Sequence, residues 1–244
     1  MLTGVLRQAR RRAAVNAYLE AGWPIAPGAW WDPRAEQYRC RRVGCLTTGT
    51  IHAADGMTPH RDASAWSNDP ATILLVTGHG IDVVELPLGS TPPDAIFSRA
   101  LIPGPVALWT SVRPRLLVPA STIAGPAVPD SLPSGLPEGA LLHSTGSYVP
   151  LPPSHVRTGD VVWMRPPQAL EWGLPELGEV LDLLARRLSP HAGGHPPAGG
   201  HPHAGTETTT GSSRAPVPSP STGELELMRT ASPTSLGSSA PRKA

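Results

Sequence analysis

The chain changes character at Ser189-Pro190, and that break sets the limit of what it can fold. Beyond it, residues 191–205 run through His, Pro and Gly, and residues 206–244 are dominated by Ser, Thr and Pro. With few large apolar side chains, such a stretch cannot bury enough surface to offset the entropy of ordering it. The expected organisation is one domain over residues 1–189 and a disordered Pro/Gly/Ser/His-rich tail over residues 190–244. The repeated His-Ala-Gly-Gly-His-Pro and Gly-Gly-His-Pro-His pieces of the tail offer weak metal donors, but they read more simply as a solvated linker.

Ahead of the break, periodicity alternates between helix and strand. Residues 5–21 carry an apolar face at spacings of three and four, with Gly22 as a stop and Pro24 preventing resumption. Residues 23–31 read as a short strand and turn bearing three tryptophans, and residues 32–62 as a long loop. A short helix is expected within residues 62–70. The runs at 72–77 and 81–86 flank Gly78-His79-Gly80 and predict a hairpin. A helix is expected over residues 92–100, and strands at 106–109, at 116–118, within 140–150 and at 161–164. Leu177, Val180, Leu181, Leu184 and Leu188 give residues 174–188 the stripe of a final amphipathic helix. The fold class expected is α+β, a mostly antiparallel sheet with flanking helices.

The net charge of +1, with 16% charged residues, gives no global pull toward nucleic acid or an anionic membrane. A local basic patch is available from Arg7, Arg10, Arg11 and Arg12, with Arg39, Arg41 and Arg42 further on; its plainer reading is a solvated helix face. No apolar run approaches a membrane span, and no secretory signal precedes a cleavage site, so a soluble cytoplasmic protein with no membrane association is expected. The seven tryptophans mostly sit in apolar runs and are expected in the core, although base stacking is the alternative. Trp30 and Trp31 cannot both face inward from one strand.

Two cysteines are too few for a disulfide scaffold. The spacing Cys40-x4-Cys45-x6-His52 is compatible with a structural zinc ion, with His60 or Asp62 as a fourth ligand. Such a metal would order the long loop. Free thiols are the alternative in a reducing compartment.

Tyr18-Leu19-Glu20-Ala21-Gly22-Trp23-Pro24-Ile25-Ala26-Pro27-Gly28-Ala29-Trp30-Trp31 resembles the opening helix and first strand of the actinobacterial bifunctional DNA primase/polymerase N-terminal domain family. Gly146-Ser147-Tyr148-Val149-Pro150-Leu151-Pro152-Pro153-Ser154, followed by Gly159 and Trp163, resembles that family's Gly-Gly-Tyr-Val-x-x-Pro-Pro-Ser block. Cys40, Cys45 and His52 fit its Cys-rich loop. The resemblance spans residues 5–165. It implies an archaeo-eukaryotic primase fold whose active members join nucleotides with two divalent metals, Mg or Mn.

Such chemistry needs carboxylates that hold two ions ~4 Å apart. The resemblance implies an acidic pair at positions 85 and 87, which share one face of a strand, and a third acid from a later strand. Glu85 keeps one acid, Pro87 replaces the other, and Asp82 is expected on the opposite face unless a bulge intervenes. By spacing, Leu141 takes the place of the third acid. The family's Ser-x-His phosphate motif is matched by Ser111-Val112-Arg113, with Arg115 beside it; arginine still binds phosphate but does not titrate near neutrality.

Three departures at three motifs lead to the expectation of a degenerate two-metal site in a nucleotidyltransferase-superfamily domain. Such a domain would retain nucleotide or single-stranded nucleic-acid binding at most. The alternatives are an active primase/polymerase using Asp82 and Glu85 as relocated acids, and a protein-interaction scaffold with no nucleic-acid role. No Gly-x-x-x-x-Gly-Lys-Ser/Thr loop of a helicase motor occurs in the sequence.

Overall fold

A computed structural model describes residues 2–188, apart from 55, 57, 67–69, 90–95, 97–101 and 124–131. The tail and all but Ile96 of the helix expected over residues 92–100 lie outside the described residues. What is described falls within one unit.

Helix α1 spans Leu2–Glu20. Gly22, with a φ of +73°, ends it: its N–H donates to the Leu19 carbonyl, and the Trp23 N–H donates to the Tyr18 carbonyl at 2.8 Å. Those two bonds are a Schellman stop, and the hydrophobic contact that accompanies one is here the stacked pair Tyr18–Trp23 at 5.3 Å. One turn of chain therefore both terminates the helix and seats its two aromatic residues in the core.

The strands form three antiparallel sheets. β1 (Ile25–Gly28), β4 (Thr72–Val76) and β9 (Tyr148–Pro150) make the first, with β4 central. β5 (Ile81–Pro87), β6 (Val106–Trp109), β7 (Arg115–Ser121), β8 (Leu141–His143), β10 (His155–Val156) and β11 (Gly159–Arg165) make the second, in the order β10-β11-β6-β7-β5-β8. β2 (Trp30–Asp32) and β3 (Gln37–Arg39) form a separate hairpin. Helix α2 spans Leu177–Leu188, and short 3₁₀ turns lie at Ala63–Ala65 and Pro167–Leu170. The α+β expectation holds.

Side-chain alternation on the six-stranded sheet divides the interior in two. Val83, Ala107, Leu117 and Val161 face a cluster with Val15 and Tyr18 of α1 and Ile25, Ile73, Leu75 and Val149 of the three-stranded sheet. Val84, Leu86, Leu116 and Val118 face the other way, onto Leu177, Val180, Leu181 and Leu184 of α2. Each of those buried α2 side chains contributes about 1.5–3 kcal/mol. Both faces of β5 are thus covered, which is why its side chains are buried without alternation from Ile81 to Leu86, Asp82 and Glu85 included.

Several expectations are corrected. The runs at 72–77 and 81–86 are strands but not partners: β4 pairs with β1 and β9, while β5 pairs with β7 and β8. The intervening turn carries the chain from one sheet to the other, with Gly78 and Gly80 at φ +83° and +89°. A tight Gly-rich connection between two apolar runs has the same sequence signature whether it closes a hairpin or crosses between stacked sheets. The stretch 140–150 holds two strands, β8 and β9, again in different sheets. The loop 32–62 contains β3, whose three residues lack the alternation of a longer strand.

Candidate functional site

Glu85 sits on β5 between β7 and β8, on the same face as Val83, and is 3% exposed. Arg115 stands opposite Pro87 on β7 and His143 opposite Val83 on β8, so both are diagonal neighbours of Glu85. The Arg115 guanidinium bonds Oε1 of Glu85. Nε2 of His143 lies 2.8 Å from Oε2, and Nδ1 of the same ring 3.1 Å from the Ser147 hydroxyl. Burial alone pushes the Glu85 carboxyl up, but the His143 and Arg115 hydrogen bonds outweigh it and hold the group below the usual glutamate range. The directly opposed cross-strand residue of Glu85 on β8 is Leu141.

Asp82 lies three residues earlier and one register step off, alongside Val84 on the α2 side of the sheet. Its Oδ1 accepts the Gly78 N–H at 2.8 Å, closing the crossover turn. Its Oδ2 is buried with no hydrogen-bond partner among the described residues. Burial raises the Asp82 pKa, against the Gly78 hydrogen bond. Asp82 and Glu85 therefore occupy opposite faces of β5 and share no ligand position. Ser111, Arg113 and Arg115 also part company. The Ser111 hydroxyl bonds the Arg113 carbonyl, Arg113 is exposed in the β6–β7 turn, and Arg115 is turned inward onto Glu85.

Cys40, Cys45 and His52 do come together. Their ligand atoms all lie within 4.8 Å of one another, the one such group of three or more His, Cys, Asp or Glu residues among the described residues. Cys45 Sγ is 3.3 Å from His52 Nε2, and His52 Nδ1 is 2.8 Å from the Thr50 carbonyl. That second contact makes Nδ1 the donor and leaves the Nε2 lone pair for a metal, the usual support for a ligating histidine. The Thr47 N–H is the main influence lowering the Cys45 thiol, whereas burial raises Cys40. The loop is tied to β1 by the bond from the Ala29 N–H to the His52 carbonyl and from the Ala54 N–H to the Pro27 carbonyl. The two fourth ligands expected from sequence lie elsewhere. Asp62 accepts the Ser64 N–H at 2.7 Å as a cap, and His60 bridges to Ile25. The donor set fits three positions of a zinc tetrahedron and leaves the fourth open.

Most of the tryptophans lie in or against the core, as expected. Trp23 is buried, and Trp66, Trp109, Trp163 and Trp172 pack against the first core cluster. Trp30 and Trp31 are each half-buried and line a groove of about 530 Å³ that also receives Arg7, Arg10 and Arg11 of α1.

Sequence reasoning missed the partners of Glu85 and the convergence of α1 with β2. His143 carried a signal, since its position two residues after Leu141 places it on the same strand face. Ser147 carried none, because it lies beyond the end of β8 and meets His143 only through the bend that follows. Comparisons with protein-family models, with curated proteins and with solved structures each find no match.

Proposed function

We propose that the chain is a primase/polymerase-like protein of the nucleotidyltransferase superfamily whose two-metal centre is degenerate. On this reading it binds nucleotide or single-stranded nucleic acid without polymerising it. The observation that carries the proposal is the neighbourhood of Glu85. Positions 85 and 87 share a face of β5, and position 141 is the direct cross-strand neighbour of position 85. Three positions that the resemblance assigns to carboxylates therefore meet on one patch of sheet, where this chain places Glu, Pro and Leu. The remaining carboxylate has both oxygens engaged by protein cations or donors, Arg115 and His143. Arg115 supplies a counter-charge and His143 a hydrogen-bond partner where an active centre has divalent ions, and neither can bridge the oxygens of an attacking hydroxyl and a nucleotide phosphate.

Zinc at Cys40, Cys45 and His52 belongs to the same proposal as a structural group: a bound ion would cross-link the segment between β3 and β4. A cytoplasmic location suits the two free thiols, which a reducing compartment maintains. The test is primer extension with Mg²⁺ or Mn²⁺, run beside retention on immobilised single-stranded DNA at rising salt. We expect no incorporation, together with retention that falls steeply with salt. Incorporation abolished by Glu85→Ala would restore the active reading, and loss of both signals would leave the interaction scaffold.

A further inference from the structure

The groove beside α1 has the chemistry of a nucleic-acid track, and its lining includes none of Glu85, Ser111, Arg113 and Arg115, the site residues that the family resemblance implies. Arg7, Arg10 and Arg11 fall at helical positions i, i+3 and i+4, so one face of α1 presents a stripe of like charge. Like charges at that spacing destabilise a helix by a few tenths of a kcal/mol per pair, and Arg7 and Arg10 are exposed. The opposite wall is aromatic. Trp31 is braced there, edge-on to Tyr38 at 5.3 Å with the Arg157 guanidinium 5.1 Å from its ring centre. Trp30 lines this groove and also a neighbouring cavity of about 380 Å³, where Arg39 and Arg42 stand beside Cys40 and Cys45. Arg39 is partnered by Asp32 at 2.7 Å, and the acid on the rim of the larger groove, Asp160, is partnered by His155 at 2.7 Å.

We propose that these two adjoining hollows form one site for single-stranded nucleic acid, with the α1 arginines on backbone phosphates and Trp30 as the platform for a base. The inference rests on the nucleic-acid reading above and gives it a location. A concave wall of half-exposed indole accepts the flat face of an unpaired base, which a duplex keeps stacked inside. The arginines supply the charge that attracts a phosphate backbone and fixes its path. A strand laid along α1 and past Trp30 would continue toward Arg42 over the proposed metal loop.

Fluorescence anisotropy of a labelled oligo(dT) of about 12 nucleotides tests this, with an RNA oligomer and a mononucleotide as parallel probes. Arg7→Ala/Arg10→Ala should weaken binding at least about tenfold and lower the slope of log affinity against log salt by about 1.4, two phosphate contacts at ~0.7 each. Trp30→Ala should cost about tenfold with the salt slope unchanged, and Trp30→Phe should restore most of it. Thermal melts of each variant confirm that the fold is intact, and the exposed arginine pair keeps the test open should Trp30→Ala unfold. Arg186→Glu, at an exposed position of α2 that lines neither hollow, should bind as the parent does. If the parent binds and Arg113→Glu in the β6–β7 turn abolishes binding while the groove variants do not, the location is wrong and the broader reading stands. A mononucleotide bound as tightly as the oligomer also overturns the track. A parent protein that retains neither DNA nor RNA overturns both.

Discussion

Leu141 faces Glu85 directly across the β5–β8 ladder, and the carboxylate turns instead to the diagonal neighbours on either side, Arg115 and His143. A nearly fully buried acid in that position is tolerable only because both of its oxygens are engaged. Removing one partner should therefore cost more than removing the interaction as a whole. Arg115→Met should destabilise the protein by about 2 kcal/mol, because it leaves a buried carboxylate with one partner. Glu85→Leu combined with Arg115→Met should cost less than the sum of the single changes, with a coupling of about 1 kcal/mol or more. Urea unfolding of the four proteins in the cycle measures this, and simple additivity would show that the pair does not interact.

The two acids of β5 should pull stability in opposite directions with pH. Glu85 has a folded-state pKa below its unfolded value, so its contribution is present above the unfolded pKa of about 4.3 and is lost as pH falls through the folded one. Asp82 has its pKa raised by burial, so its contribution is present below the unfolded pKa of about 3.9 and is lost as pH rises through the folded value. Asp82→Asn keeps an acceptor for the Gly78 N–H and removes the charge. Relative to the parent, this variant should gain stability progressively as pH rises above about 4. Urea midpoints at a series of rising pH values test it: a difference that does not change with pH would mean Asp82 does not resist ionisation.

The crossover turn explains both a success and a failure of the sequence. Ile81-Asp82-Val83-Val84-Glu85-Leu86 is unmistakable as a strand because β-branched residues and burial on both faces leave no other reading. Its position on the opposite face to Asp82 was equally legible for Glu85, since alternation is a property of the chain itself. Its pairing was not, because Gly78-His79-Gly80 looks the same whether it closes a hairpin or changes sheets. Cys40, Cys45 and His52 were legible because their spacing is short and local. Arg115 and His143 were not visible as partners of Glu85, since a diagonal contact depends on the register of two separate ladders. The basic stripe and the paired tryptophans were each visible, but their meeting in one groove depends on where α1 docks.

Gly78 is the residue on which that crossover depends. It combines a φ of +83° with a site where an added Cβ would sit 2.5 Å from Thr145 Cα. Gly146 has a similar φ of +85° but open space around it. Gly146→Ala should therefore cost only the backbone term, about 1–2 kcal/mol. Gly78→Ala should cost more, by about a further 1–3 kcal/mol of overpacking. Thermal or urea unfolding of the two variants side by side separates the terms, and equal losses would mean the Thr145 backbone yields freely.

Metal removal should act on the loop before it acts on the core. The ion would join residues 40, 45 and 52 in a segment whose backbone is otherwise held to β1 at Ala29 and Ala54 and to Tyr38 by the Thr48 carbonyl. Arg41 and Arg42 lie inside the cross-linked stretch and are exposed, so trypsin reports directly on its order. With zinc at about a hundred times its dissociation constant, the folded protein should gain about 2.7 kcal/mol, and the loop should resist cleavage. Cobalt substitution should give one equivalent with a tetrahedral thiolate spectrum, and Cys45→Ser should abolish that spectrum and the protease resistance together. His60→Ala should leave both intact, because His60 sits at the Ile25 bridge rather than with the three donors. Loss of cobalt binding in His60→Ala would mean that the loop closes further around the ion than the arrangement of its donors indicates. Full cobalt binding in Cys45→Ser would remove the site altogether.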